Sequence, residues 1–173
     1  MTITPTPPRN EARMSAVKER IAIEAPYTQA AVAFERRLGL ARGSQRGECV
    51  LTLTLPIAEG RELARVVTAQ TERVAGAANY SSRYRIRWEP GTSRGIPTPG
   101  FEGTLTLSAG EDYSETTIHL EGSYEPPGGA VGRAFDDLFG RRFAHATLTA
   151  LLSGVGEELR AEHERIESEK RRG

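Results

Sequence analysis

The sequence is poor in cysteine, lysine and long apolar runs, and it carries no excess of either charge. Cys49 is the single cysteine among 173 residues, so no disulfide can form within the chain and no cysteine cage can hold a metal. That usage suits a reducing compartment, and a cytoplasmic protein is expected. No stretch approaches the roughly 18 consecutive apolar residues that a membrane helix needs, so no membrane span is expected. The first residues, MTITPTPPRNEARM, lack the basic-then-apolar order of a secretion leader. Lysine and arginine together number 23 and are matched by 23 acids, for a formal net charge of +0. Proteins that bind mainly by neutralising phosphate are usually strongly basic, so no nucleic-acid partner is expected. Only Lys18 and Lys170 are lysines; the remaining basic residues are arginine. Arginine suits carboxylate and phosphate as a planar fork, although the codon bias of a GC-rich bacterial genome explains the excess without any function. HExxH, GxxxxGK[ST] and CxxC are all missing, so zinc hydrolysis, phosphate-loop nucleotide binding and dithiol chemistry lack support. No cofactor and no metal are expected.

A chain of this length is enough for one domain that hides roughly 70% of its unfolded surface. Residues 1–13 hold three prolines and few large apolar side chains, which reads as a disordered tail. From Glu157 the sequence interleaves six acids with five bases, so residues 161–173 are expected to be a charged helical or frayed tail held by short-range pairs such as Glu167 with Arg171. The domain proper is expected over 14–160.

Within it the periodicity changes from strand to helix, back to strands, then to one long helix. Val17, Ile21 and Ile23 alternate with polar residues, as in a half-buried strand. Pro26 suits a helix start, Tyr27, Ala31, Phe34 and Leu38 keep helical spacing, and Gly39 ends it. ARGSQRG reads as a loop. Cys49, Leu51, Leu53 and Leu55 alternate with Val50, Thr52 and Thr54, and Pro56 closes that strand. Leu63 to Val74 is a weaker strand, rich in β-branched residues. Tyr84, Ile86 and Trp88 alternate with Arg83, Arg85 and Arg87. A Pro/Gly-rich loop, EPGTSRGIPTPG, precedes Phe101, Leu105 and Leu107, and a GED turn leads to Thr116, Ile118, Leu120 and Tyr124. PPGGAVG then redirects the chain into a long helix. Its seam reads Val131, Ala134, Leu138, Arg141, His145, Leu148, Leu152, Val155 and Leu159.

An antiparallel sheet with one apolar face and one long amphipathic helix bury each other best when the sheet curls around the helix. Such packing tends to leave a concave cavity suited to a small molecule. The expected class is therefore α+β, a curved antiparallel sheet of about six strands wrapped around a C-terminal helix.

The element order, together with WEP at Trp88–Pro90, FEGTLTL at Phe101–Leu107, LEGSYEPPGGAVG at Leu120–Gly132 and the Asp136-Asp137 pair, resembles the helix-grip superfamily of START-like, Bet v 1-like and polyketide-cyclase-like proteins (SRPBCC). The bacterial polyketide cyclase/dehydrase-like branch is the nearest in pattern. The likeness spans about residues 15–160, and its motifs are packing and turn signatures. One departure stands out: the family usually has two short helices after the first strand, and here ARGSQRG replaces the second. The resemblance implies a helix-grip fold with a pocket between sheet and long helix.

Candidate site residues follow from the expected faces. Arg141 and His145, four apart, interrupt the seam with polar groups. In a cavity the guanidinium would hold a carboxylate, phenolate or enolate, and the imidazole would shuttle a proton near neutrality. The bland alternative pairs Arg141 with Asp137 and gives His145 a backbone or side-chain acceptor. Tyr80, Tyr84 and Trp88 fall on one alternating face, as do Phe101 and Leu105. With Leu138, Arg141 and His145 they make the expected ligand-binding set, the rival for Trp88 and Phe101 being plain core packing. Phe135, Phe139 and Phe143 form a second ridge that would pack on the first helix, line the mouth, or join two copies as a homodimer. Arg83, Arg85, Arg87 and His119 read as solvent-facing, the arginines paired with acids such as Glu102 or Glu121, and Cys49 as an inert buried thiol. The leading functional expectation is binding of a hydrophobic or aromatic small molecule. The alternatives are a polyketide cyclase/aromatase-type enzyme using Arg141 and His145, and a protein-interaction domain.

Overall fold

A computed structural model of the chain describes residues 14–58, 61–93, 96–125 and 133–172. The expected 1–13 tail lies outside the described residues, as do the side chains of residues 133–139. Strand β1 (Ser15–Ile23) leads into helix α1 (Tyr27–Arg37), followed by β2 (Arg46–Ala58), β3 (Arg61–Val74) and β4 (Ser81–Trp88). Two short strands come next, β5 (Gly91–Ser93) and β6 (Ile96–Thr98), then β7 (Phe101–Ala109), β8 (Thr116–Tyr124) and helix α2 (Arg133–Arg172). The 89–100 segment, expected as a plain loop, thus contains a small hairpin of its own.

The main sheet has six antiparallel strands in the order β1-β8-β7-β4-β3-β2. Consecutive strands pair as hairpins except at the start, where β1 crosses to β8 with Ile21 opposite Ile118. The two edges, β1 and β2, are therefore neighbours in sequence with α1 between them. The sheet curls so that both edges flank α2, which packs on the concave face.

The sequence explains the joints. After α1 the Leu40 N–H reaches back to the Glu35 carbonyl at 2.8 Å, and Gly39 takes φ +70°, the left-handed turn that ends many helices. A Cβ on Gly39 would also lie 2.0 Å from the Glu48 carbonyl oxygen, so glycine is needed there twice over. Only the one helix forms between β1 and β2, as the short ARGSQRG loop requires. Buried hydroxyls tie α1 to the sheet: Thr116 donates to the Ala25 carbonyl at 2.8 Å and Thr71 to the Leu38 carbonyl at 2.7 Å. The FEG and LEG motifs meet across the β7–β8 ladder, Gly103 opposite Gly122. A Cβ on either would stand 2.6 Å from the Phe101 ring, so the glycine pair makes a seat for that ring.

The buried face of α2 runs through Gly140, Phe143, Ala144, Thr147, Leu148, Leu151 and Val155. This corrects the seam read from the sequence at two positions, Arg141 and His145, which are exposed. The physical cause is close approach. Gly140 packs against Tyr124 and Val17, so the contact line passes through small residues such as Gly140 and Ala144. The expected seam then resumes, with Leu148 and Val155 buried and Leu152 and Leu159 packed against the core. Phe143 belongs to the core rather than to a second ridge, and it meets Tyr124, Phe101 and Trp88 with centroids 5.2, 5.9 and 6.0 Å away. Phe135 and Phe139, the rest of the expected ridge, lie outside the described side chains, as does Leu138.

Candidate functional site: a cleft where the central ladder stops

The ladder between β3 and β4 covers only Gln70–Val74 and Arg83–Arg87. Next along β4 come Trp88, Glu89 and Pro90. Proline has no N–H to give a neighbouring strand, and the chain turns off into the β5–β6 hairpin. The longer β2–β3 hairpin continues alone, pairing from Arg46 with Glu72 to Ala58 with Arg61. Between the two hairpins opens a cleft of about 670 Å³.

Its inner part is formed by Leu63, Arg65, Val67, Trp88 and Thr98, and its rim includes Val66, Thr68, Gln70, Arg87, Glu89 and Thr92. Arg65 is the unexpected member. It stands in phase with Leu63, Val67, Ala69 and Thr71 on the inward side of β3, and only 9% of it is exposed. A guanidinium keeps its charge in any such environment. Trp88 lines the same cleft and is fixed in place: the indole N–H donates to the Pro99 carbonyl at 3.0 Å, and the ring stacks on Phe101 at 4.7 Å and 27°. A mixed wall of aliphatic side chains, one indole and a buried cation can take a ligand that pairs an apolar part with an acidic group. Glu89 is the acid on the rim, and it is exposed.

The residues expected from the sequence are distributed differently. Trp88 lines the cleft. Tyr84, Phe101 and Leu105 sit behind it in the closed core, with the Tyr84 hydroxyl donating to Glu35 Oε1 at 3.1 Å. Glu35 also receives Arg73. Burial pushes the Tyr84 phenol up to about 12, so it is a structural donor. Tyr80 is not part of β4; it occupies the preceding turn at φ 54°, is 56% exposed, and meets Tyr27 and Tyr113 edge-on at 6.3 and 5.4 Å. The turn breaks its period-two match with Tyr84. Arg141 and His145 do come together, but in a separate groove of about 790 Å³ with Glu19, Thr52, Thr54, Glu62 and Arg142. Arg65 is absent from the residues expected on sequence grounds, although its alternation with Val67, Ala69 and Thr71 was the available signal.

Other surface expectations are settled by contacts. Arg85 pairs with Glu72 at 3.3 Å and Arg87 bonds Gln70 at 2.7 Å, rather than Glu102 or Glu121. Glu121 instead takes Lys18 at 2.8 Å and lies 3.7 Å from His119; Lys18 holds the Glu121 carboxyl below its ordinary value. Cys49 is buried, and desolvation raises its thiol to about 11. Among the described residues no helix is long and apolar enough to cross a membrane, and no group of three or more His, Cys, Asp or Glu side chains could hold a metal ion.

A curled six-stranded antiparallel sheet closed by one long C-terminal helix is the helix-grip architecture, and the chain adopts this fold. Among solved structures it is similar to TTHA0849 from Thermus thermophilus, with 17% identity, 85% of this chain and 98% of that one covered, and a TM-score of 0.50. It is also similar to the Zhui aromatase/cyclase from Streptomyces sp. R1128, with 17% identity, 88% and 95% coverage, and a TM-score of 0.43. Norcoclaurine synthase from Thalictrum flavum aligns at 10% identity over 92% and 95% of the two chains, with a TM-score of 0.37. The sequence matches no family model and no curated protein.

Proposed function

We propose that the protein binds a flat hydrophobic or aromatic small molecule bearing an anionic group, in the cleft between the β2–β3 and β5–β6 hairpins. The observation that carries this reading is Arg65, a cation on the inward face of a core strand, which lines the same ligand-sized opening as Trp88. A guanidinium in the wall of an apolar opening can give a charge-assisted bond to a ligand carboxylate or phenolate while the indole covers the ring. Binding is favoured over acid–base catalysis because Arg141 and His145 line the other groove and Tyr84 is committed to Glu35.

Trp88 is the single tryptophan, so its fluorescence reports on the cleft directly. Titration with 8-anilinonaphthalene-1-sulfonate should quench it, while uncharged N-phenyl-1-naphthylamine tests the apolar wall alone. Arg65→Met should weaken the sulfonate by about tenfold or more, the worth of a hydrogen bond to a charged group, and leave the uncharged probe nearly unaffected. Equal weakening of both probes, or no response of Trp88 to either, contradicts the proposal.

A further inference from the structure

Among the described residues, Tyr80 and Tyr113 are the two non-glycine residues with positive φ, 54° and 61°. A bulky side chain rarely takes that conformation, because its Cβ crowds the following carbonyl. Such outliers persist where their surroundings hold them, and they gather at sites that bind something. The two here touch each other. Tyr80 stands between Tyr27 and Tyr113 and meets both edge-on. Tyr27 packs against the core, but Tyr80 and Tyr113 are 56% and 61% exposed. Core packing therefore does not explain why either ring is held in a strained turn.

Three chain segments meet at this end of the sheet. Tyr27 opens α1, Tyr80 ends the turn before β4, and Tyr113 stands in the turn between β7 and β8. Backbone bonds join the turns: the Ala109 N–H donates to the Tyr80 carbonyl at 3.0 Å, and the Tyr113 N–H to the Gly110 carbonyl at 3.2 Å. Glu24 reaches the same end through the pairing of Ile23 with Thr116 and the bond from the Thr116 hydroxyl to the Ala25 carbonyl. The charge there has one sign. Residues 24–28, 75–81 and 109–116 contain Glu24, Glu111, Asp112 and Glu115, all exposed, and no lysine, arginine or histidine. The first base beyond Tyr80, Arg83, is on the outer face of β4. Among the described residues none of the four carboxylates forms an ion pair. The chain as a whole is neutral, so these acids around three tyrosines are a local concentration.

Exposed tyrosine faces attract a cation through the ring quadrupole, and nearby carboxylates add charge and hydrogen bonds. Arginine suits both at once, because its planar guanidinium stacks on a ring and forks onto a carboxylate. We propose that this tyrosine-and-acid tip docks an arginine-bearing segment of a partner protein. The strained turns hold the rings outward before the partner arrives, which lowers the ordering cost of docking. The tip is independent of the ligand cleft, which borders Trp88 at the other end of β4.

A fluorescein-labelled hexa-arginine peptide, titrated at low salt with the full chain, should show a rise in anisotropy as it binds. Tyr80→Asn and Tyr113→Asn together should weaken binding by about tenfold, the worth of two exposed cation–π contacts. Glu111→Gln with Glu115→Gln should also weaken it, whereas Glu102→Gln, on the outer face of β7, should change nothing. Asparagine accepts a positive φ, so Tyr113→Asn should leave the urea midpoint unchanged or raise it. A fall in that midpoint would mean that the ring serves the fold, and it overturns the inference. So does a failure of hexa-arginine to bind, binding that ignores the double tyrosine variant, or an equal loss from Glu102→Gln. Spermine binding as tightly as the peptide, with the same dependence on the tyrosines, would make the occupant a small polyamine and overturn it too.

Discussion

Tyr84 shows how little a side chain's type says about its task until its partners are known. Its ring is in the core and its hydroxyl donates to Glu35, which Arg73 also holds from the end of β3. Burial is the largest cause of its raised phenol, pushed up to about 12 from 10. The folded state therefore favours the protonated phenol, and that stabilisation is complete below pH 10 and disappears as pH rises through 12. A rise of that size is worth on the order of 2–3 kcal/mol. Urea unfolding at pH 9, 10 and 11 should show a falling midpoint, and Tyr84→Phe should flatten the fall. The Cys49 thiol, raised from 9 to about 11, acts in the same direction over a lower window, so the flattening should be partial. A fall of equal depth in Tyr84→Phe would mean that Tyr84 is not its source.

At the scale of elements, glycines and small residues set the positions that larger residues then fill. Gly39 both ends α1 in a left-handed turn and lets β2 pass against it. Forcing a Cβ into that conformation costs about 1–2 kcal/mol, and the Glu48 carbonyl adds a direct clash. Gly39→Ala should lower stability by more than about 2 kcal/mol, measured as a shift in urea midpoint. Gly43→Ala tests the turn without the clash, since its φ is +79° and nothing lies near its Cβ position, and it should cost less. Helix α2 follows the same rule. Its contact line includes Gly140, Ala144 and Thr147, which a scan for large apolar residues does not register. That is why the three-and-four rhythm pointed to Arg141 and His145, and why they face solvent. Arg165 and Glu169, 2.8 Å apart near the end of α2, are the kind of four-apart pair the charged terminal stretch led one to expect, while Glu167 lies outside the described side chains.

Across the whole molecule, α2 closes the curl of the sheet, and Phe143 is the hinge pin of that closure. Its ring touches the aromatic groups of β4, β7 and β8 at once. Phe143→Ala should cost about 3–5 kcal/mol in chemical unfolding. It should also shift the emission of Trp88, because the two rings are neighbours. Little loss of stability would show that the cluster repacks without it. The same closure divides the sequence-expected site in two: Trp88 stays on the sheet side, whereas Arg141 and His145 stand on the outer flank of the helix with Glu19 and Thr52.

The helix-grip expectation came from the resemblance, whereas alternation and turn chemistry by themselves determined the succession of strands along the chain, the inward faces of β1, β2, β4, β7 and β8, and the α+β class. These are local properties: a period of two or 3.6 residues fixes a face whatever lies opposite it. Tertiary structure alone decided which side of α2 is dry, where Tyr80 goes after its turn, and that the β3–β4 ladder parts at Pro90 to leave Arg65 beside a cleft. Those outcomes depend on how closely two surfaces approach and where a ladder stops. Neither distance is written in the spacing of one strand or one helix.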